Sequence, residues 1–114
     1  MKTISVAILL TGLLVLATLG LARSAQAGNP AASGAETYAK QCATCHGKDG
    51  RAKTFKGKLT KARNLTDAEW QDRVSDERIY NVIANGKGKM PAFSKKLSDA
   101  DINSLAEYVR KLKK

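Results

Sequence analysis

Histidine occurs once in this chain of 114 residues, cysteine twice, proline twice, and one of its two methionines is Met1. Each scarcity excludes something. With a single imidazole, no centre held by two histidines can form within the chain. Cys42 and Cys45, three positions apart, could close only a very small loop, so no disulfide framework supports the fold. Prolines at 30 and 91 leave the intervening stretch free of the strongest helix breaker. Aromatic residues make up 5% of the chain, too few for a core built on rings alone. There is no alternating strand pattern, no internal repeat and no low-complexity segment. The length suits one domain and a leader, not two ordinary domains.

The leader reads clearly. Met1 and Lys2 precede an uncharged run from Ile4 to Ala22, and Ala25-Gln26-Ala27 follows. A cationic start, an apolar stretch and a small-residue site form the order of a secretory signal peptide, predicted over residues 1–27 with cleavage after Ala27. The alternative is a retained membrane anchor, since an apolar run of this length just crosses a hydrocarbon core of ~30 Å. Either way the remainder is exported, which implies a periplasmic location. Residues 28–32 read as a flexible start and residues 33–114 as the domain. Without the leader 87 residues remain, a size at which a cofactor often helps to fill the core.

Charge is lopsided, with 20 Lys and Arg against 10 Asp and Glu. Between positions 48 and 63, Lys48, Arg51, Lys53, Lys56, Lys58, Lys61 and Arg63 face only Asp49. Such a stretch either attracts acidic partners or is a solvated loop. A nucleic-acid-binding module would use the charge, but it would leave the cysteines and histidine idle, and export argues against it.

Capping signals divide the domain into helices. Ser33-x-x-Glu36, Thr66-x-x-Glu69 and Ser98-x-x-Asp101 are capping boxes, and Ser75 followed by Asp76 and Glu77 marks a further start. The first helix is predicted to run into the cysteines. Glycines at 47, 50 and 57 among lysines predict loop from 47 to 64. A short helix then carries Trp70. Ile79, Val82 and Ile83 share a face of the next, which Asn85-Gly86 ends. Gly88 to Phe93 is loop. Ile102, Leu105, Ala106, Val109 and Leu112 recur at helical spacing in the last element. The predicted class is all-α.

All the cysteine and histidine of the chain lies in Cys42-Ala43-Thr44-Cys45-His46. A thioredoxin-like dithiol needs a strand-helix unit that is missing here, and zinc needs a second ligand pair. A plain disulfide would leave the histidine unexplained. C-x-x-C-H is the spacing that bonds haem through two thioethers while the histidine reaches the iron. Under that reading His46 is one axial ligand, and Met90 is the one thioether left for the other face once Met1 departs with the leader. Pro91 biases Met90 toward extended backbone, and Gly86 and Gly88 would let the chain approach closely. Alternatively, Met90 fills a gap in the core.

Over residues 33–112 these features resemble the class I c-type cytochromes, in particular small exported bacterial monohaem members. The resemblance rests on the C-x-x-C-H motif, on Met90-Pro91-Ala92-Phe93 and on the closing helix. It also rests on Gly34 with Tyr38 and Leu105 with Tyr108, spaced like the residues through which that family crosses its first and last helices. It implies the cytochrome c fold, three to five short helices around one haem c bonded to Cys42 and Cys45, with His46 and Met90 on the iron. It further implies a monomeric electron carrier rather than an enzyme, which meets redox partner proteins with acidic docking surfaces. The rival is a haem enzyme or gas sensor in which Met90 is displaced. Relatives commonly carry a proline after the histidine, in the region supplying a carbonyl for the imidazole N–H; here that acceptor must come from another residue type. Trp70 reads as core, with a propionate hydrogen bond as its alternative.

Overall fold

The computed structural model describes residues 33–114; the leader expected at 1–27 and the flexible start at 28–32 lie outside the described residues. Six helices follow in order: α1 Gly34–Gln41, α2 Ala43–His46, α3 Phe55–Thr60, α4 Ala68–Arg73, α5 Asp76–Asn85 and α6 Asp99–Lys111. Among the described residues the only extended pairing is an isolated bridge between Lys87 and Met90. The class is all-α, as the sequence predicts. No helix among them is long and apolar enough to cross a membrane.

Local chemistry explains where the helices begin. Ser33 and Glu36 form a reciprocal box, as do Ser98 and Asp101, and Ser75 Oγ accepts from the backbone N–H of Arg78. Each satisfies a donor that a helix start leaves free. The box expected at Thr66 does not form. Asp67 caps α4 by accepting from Trp70 N, while Thr66 is buried and gives both its N–H and its hydroxyl to Asn64 Oδ1.

Two further departures raise the helix count above the three to five expected. The first helix reaches the cysteines, as predicted, but a second follows at once: α1 stops at Gln41, Cys42 turns the chain, and α2 begins at Ala43. The stretch 47–64, predicted as loop, contains α3, capped by Thr54. Gly57 is the one residue of α3 that is buried, so the helix leaves no apolar periodicity in the sequence.

The core gathers on α6, which packs against α1 and α5. Ile102 and Leu105 are fully buried, with Tyr38, Ile79, Ile83 and Val109 around them. Each large aliphatic so enclosed contributes roughly 1.5–3 kcal/mol relative to exposure. The crossing of α1 with α6 follows the sequence expectation. A Cβ at Gly34 would lie 2.2 Å from the Ser104 carbonyl oxygen, and the Tyr38 and Tyr108 rings meet beside it with centroids 4.9 Å apart. Polar links close the far side. The buried Gln71 carboxamide donates to the carbonyls of Leu65 and Val109, at 2.8 Å each. The Arg110 guanidinium donates to Gln71 and Val74 carbonyls and pairs with Asp76.

Candidate functional site

Between these helices lies a cavity of about 610 Å³. Cys42, Cys45 and His46 line one side, and Met90 lines it from the loop before α6. All four are partly buried. Core side chains, Ile83, Phe93 and Leu105 among them, form an apolar wall. Its volume falls within the ~300–1,000 Å³ of ordinary ligand sites.

The segment bearing the cysteines is held by its backbone. Tyr38 donates its hydroxyl to the Gly47 carbonyl at 2.7 Å. Thr54 Oγ lies 2.8 Å from the Thr44 carbonyl oxygen and 3.0 Å from that of Cys45, and it accepts from Gly57 N–H while capping α3. A Cβ on Gly57 would fall 2.2 Å from the Cys45 carbonyl oxygen. Thus α3 rests directly on the turn that presents the thiols. Burial pushes the Cys42 thiol up to about 11, with the Cys45 charge adding to the effect. A thiol so raised is the opposite of the depressed thiolate that disulfide exchange requires.

His46 is oriented by a main-chain carbonyl. Its Nδ1 lies 2.9 Å from the Arg63 carbonyl oxygen, to which an N–H there donates. That tautomer leaves Nε2 as the acceptor nitrogen. Burial lowers the imidazole's proton affinity, while the bond to Arg63 acts in the other direction. A neutral ring is the form that ligates a metal. The acceptor that the missing proline left open is therefore Arg63, through its main chain. Its side chain has a second role: the guanidinium lies 5.3 Å from the Trp70 ring centroid, and both residues line the cavity. Trp70 also packs on the core, as its sequence position indicates.

Met90 sits on a tight turn in which Lys87 and Met90 exchange backbone hydrogen bonds. Phe93 N–H to the Ile83 carbonyl ties the turn's exit to α5. Gly86 permits the close approach: it has a φ of +75°, and a Cβ there would meet the Met90 carbonyl oxygen at 2.6 Å. Gly88, expected to do the same, faces open space and serves the turn only through its positive φ.

Three contributors escaped sequence reasoning: Thr54, Gly57 and Arg63. Thr54 and Gly57 belong to a helix without apolar pattern, and a main-chain carbonyl leaves no mark on residue type. The donor set fits a haem: two thiols at thioether spacing, a neutral imidazole and a soft sulfur, around one apolar cavity.

Residues 29–109 match the family of cytochrome c oxidase, cbb3-type, subunit III. The chain belongs to this family of c-type cytochromes. It is 40% identical over 79 residues to cytochrome c6 of Leptolyngbya boryana, covering 69% of this chain and 88% of that one. It is 39% identical over 94 residues to the cbb3-type cytochrome c oxidase subunit FixP of Azorhizobium caulinodans, covering 81% of this chain but 31% of that subunit. The chain thus spans about a third of that larger relative. Among solved structures, the KustC0563 c-type cytochrome superposes with a TM-score of 0.69 at 40% identity, over 73% of this chain and 100% of that one. As a c-type cytochrome, the protein carries covalently bound haem c and works as an electron carrier.

Proposed function

We propose that this cytochrome is an exported, monomeric, single-haem electron carrier in which Cys42 and Cys45 bond the haem and His46 and Met90 hold its iron. What supports the reading is one juxtaposition: a half-buried imidazole, aligned by the Arg63 carbonyl, and a half-buried thioether line the same cavity as both thiols. When bound, the haem supplies an iron that takes up and releases one electron.

The chain's own residues set the conditions. His46, fixed at Nδ1 by Arg63, keeps its ring orientation in both charge states of the site. Met90 offers a neutral sulfur, and a thioether ligand raises the reduction potential. Ile83, Phe93 and Leu105 keep water from the cavity and lower its dielectric. With His46 and Met90 both holding the iron, no position would be left for substrate. Hence the role is a carrier's and not an enzyme's. The working place is the periplasm, reached through the signal peptide at residues 1–27, and the partners are redox proteins with acidic surfaces, as in a respiratory chain or a related one.

The test is production in an export-competent host. Intact mass should equal the mature chain plus one haem, and the pyridine haemochrome should be that of two thioether bonds. The ferric protein should be low-spin with a sulfur-to-iron charge-transfer band. A colourless product, or high-spin iron that binds carbon monoxide readily, overturns the assignment.

A further inference from the structure

Helix α3 turns its apolar side chains outward. Phe55 is 81% exposed and Leu59 59%, the exposed large hydrophobic residues among those described. Four positions apart on one helix, they lie side by side. Scattered apolar surface residues need no explanation. Two adjacent ones on a helix that buries only Gly57 form a patch, and nothing among the described residues covers it.

The patch has a cationic rim. Lys53, Lys56, Lys58 and Lys61 are all exposed, and among the described residues none takes part in an ion pair. The ion pairs found there join Arg73 to Glu69, Arg110 to Asp76 and Lys113 to Asp72, on α4, α5 and α6 and the residues that follow α6. The acidic partners of these pairs thus lie on α4 and α5, while the lysines on and beside α3 have no such partner.

Phe55 and Leu59 do not line the cavity, but the helix that carries them borders it. That helix rests on the Cys45 carbonyl through Gly57, and Thr60 and Lys61 at its end line the cavity. Lys89, next to Met90 and also lining the cavity, donates to the Leu59 carbonyl at 3.2 Å.

We infer that Phe55 and Leu59 are the apolar anchor of the docking surface, and that the occupant is an acidic redox protein presenting an apolar spot within a rim of carboxylates. This rests on the electron-carrier reading above. The arrangement is that of a small interface: a desolvated centre gives affinity, and surrounding charges steer encounter and fix register. Transient redox contacts bury less than about 1,200 Å², an area such a patch and rim can fill. A lipid surface suits the observations less well. The helix has six residues and offers two apolar side chains, and its position beside the cavity serves electron exchange, which a bilayer surface does not accept.

The probe is a gold electrode coated with carboxylate-terminated thiols, methyl-terminated thiols or a mixture of the two. Voltammetry of the holoprotein should show tightest adsorption and fastest exchange on the mixture. Phe55→Ser with Leu59→Ser should abolish the preference for the mixture over pure carboxylate while leaving the melting temperature unchanged. Lys56→Glu with Lys58→Glu should weaken adsorption on both by about tenfold. Lys95→Glu with Lys96→Glu, the same charge change on a segment that lines no part of the cavity, should keep the preference. Retention of the preference in the Ser pair, or its loss in the Lys95 and Lys96 variant, overturns the anchor. So does sedimentation with phosphatidylglycerol vesicles that depends on Phe55 and Leu59 when the mixture is not preferred, which would assign the patch to lipid. If wild type gives no reversible one-electron wave with a small mediator in solution, the carrier reading itself fails. A reversible wave without patch dependence sinks only the docking surface.

Discussion

The backbone of α3 meets that of the cysteine turn so closely that a Cβ on Gly57 would fall 2.2 Å from the Cys45 carbonyl oxygen. No side-chain rotation relieves such a contact, because both partners are main chain. Gly57→Ala should therefore move α3 off the turn and cost about 1–3 kcal/mol, as overpacking does. Denaturant unfolding of the holoprotein, with the midpoint lowered and the slope unchanged, checks the cost. A lower fraction of haem-loaded chain in the exported pool should accompany it.

The same geometry governs the crossing of the terminal helices. At Gly34 a Cβ would lie 2.2 Å from the Ser104 carbonyl oxygen and 3.1 Å from Tyr108 Cβ. Gly34→Ala should destabilise by at least the same ~1–3 kcal/mol, since it also parts the rings of Tyr38 and Tyr108. Loss of the aromatic near-ultraviolet circular dichroism, together with a lowered melting temperature, is the expected observation.

Tyr38 gives the alkaline behaviour. Its buried hydroxyl donates to the Gly47 carbonyl, and burial, with nearby Cys42, Tyr108 and Asp49 adding to it, raises its pKa well above the phenol's ordinary value. Below pH ~10 the phenol keeps its proton in both folded and unfolded chains, and its contribution is complete. Above that the unfolded chain ionises first, so the contribution falls as pH rises toward the folded value. Tyr38→Phe should cost about 1–3 kcal/mol near neutrality, because the Gly47 carbonyl loses its donor. The difference from wild type should stay constant up to pH ~10 and shrink beyond it. Unfolding curves across that range decide the matter; a gap that persists unchanged would contradict the assignment.

Met90→Ala should lower the reduction potential and abolish the sulfur-to-iron band, and loosening of the Lys87–Met90 turn should lower the melting temperature. His46→Ala should yield no stable holoprotein. An unchanged ferric spectrum in Met90→Ala would mean that a lysine or another group fills that position.

Arg110 joins α6 to the end of α4 through one planar fork, with bonds to Gln71 and Val74 carbonyls and to Asp76. Lysine cannot reproduce that geometry. Arg110→Lys should therefore cost about 1.5–3 kcal/mol, the worth of a lost charged hydrogen bond. Reduction potential should stay the same, and thermal unfolding should separate the two readouts.

Sequence reasoning served best where chemistry lies in side chains. The boxes at Ser33 and Ser98, the cap at Ser75, the stop at Gly86 and the stripe on α6 could all be read because residue type decides them. The four candidate site residues stood out because cysteine, histidine and methionine are so scarce, and they line one cavity. Helix α3 stayed hidden because it turns Phe55 and Leu59 to solvent and a glycine inward, the reverse of an amphipathic pattern. The cap of α4 moved from Thr66 to Asp67 because Asn64 claims the Thr66 hydroxyl. Arg63 stayed hidden because any residue type offers the same carbonyl.

Gln71 carries one more consequence. Its amide nitrogen gives one hydrogen to the Leu65 carbonyl and the other to that of Val109, in a place 3% exposed. A carboxylate of the same shape has no hydrogen to give. Hydrolytic loss of ammonia at this single position, a slow form of protein ageing, would set a negative oxygen against two others and turn a latch into a wedge.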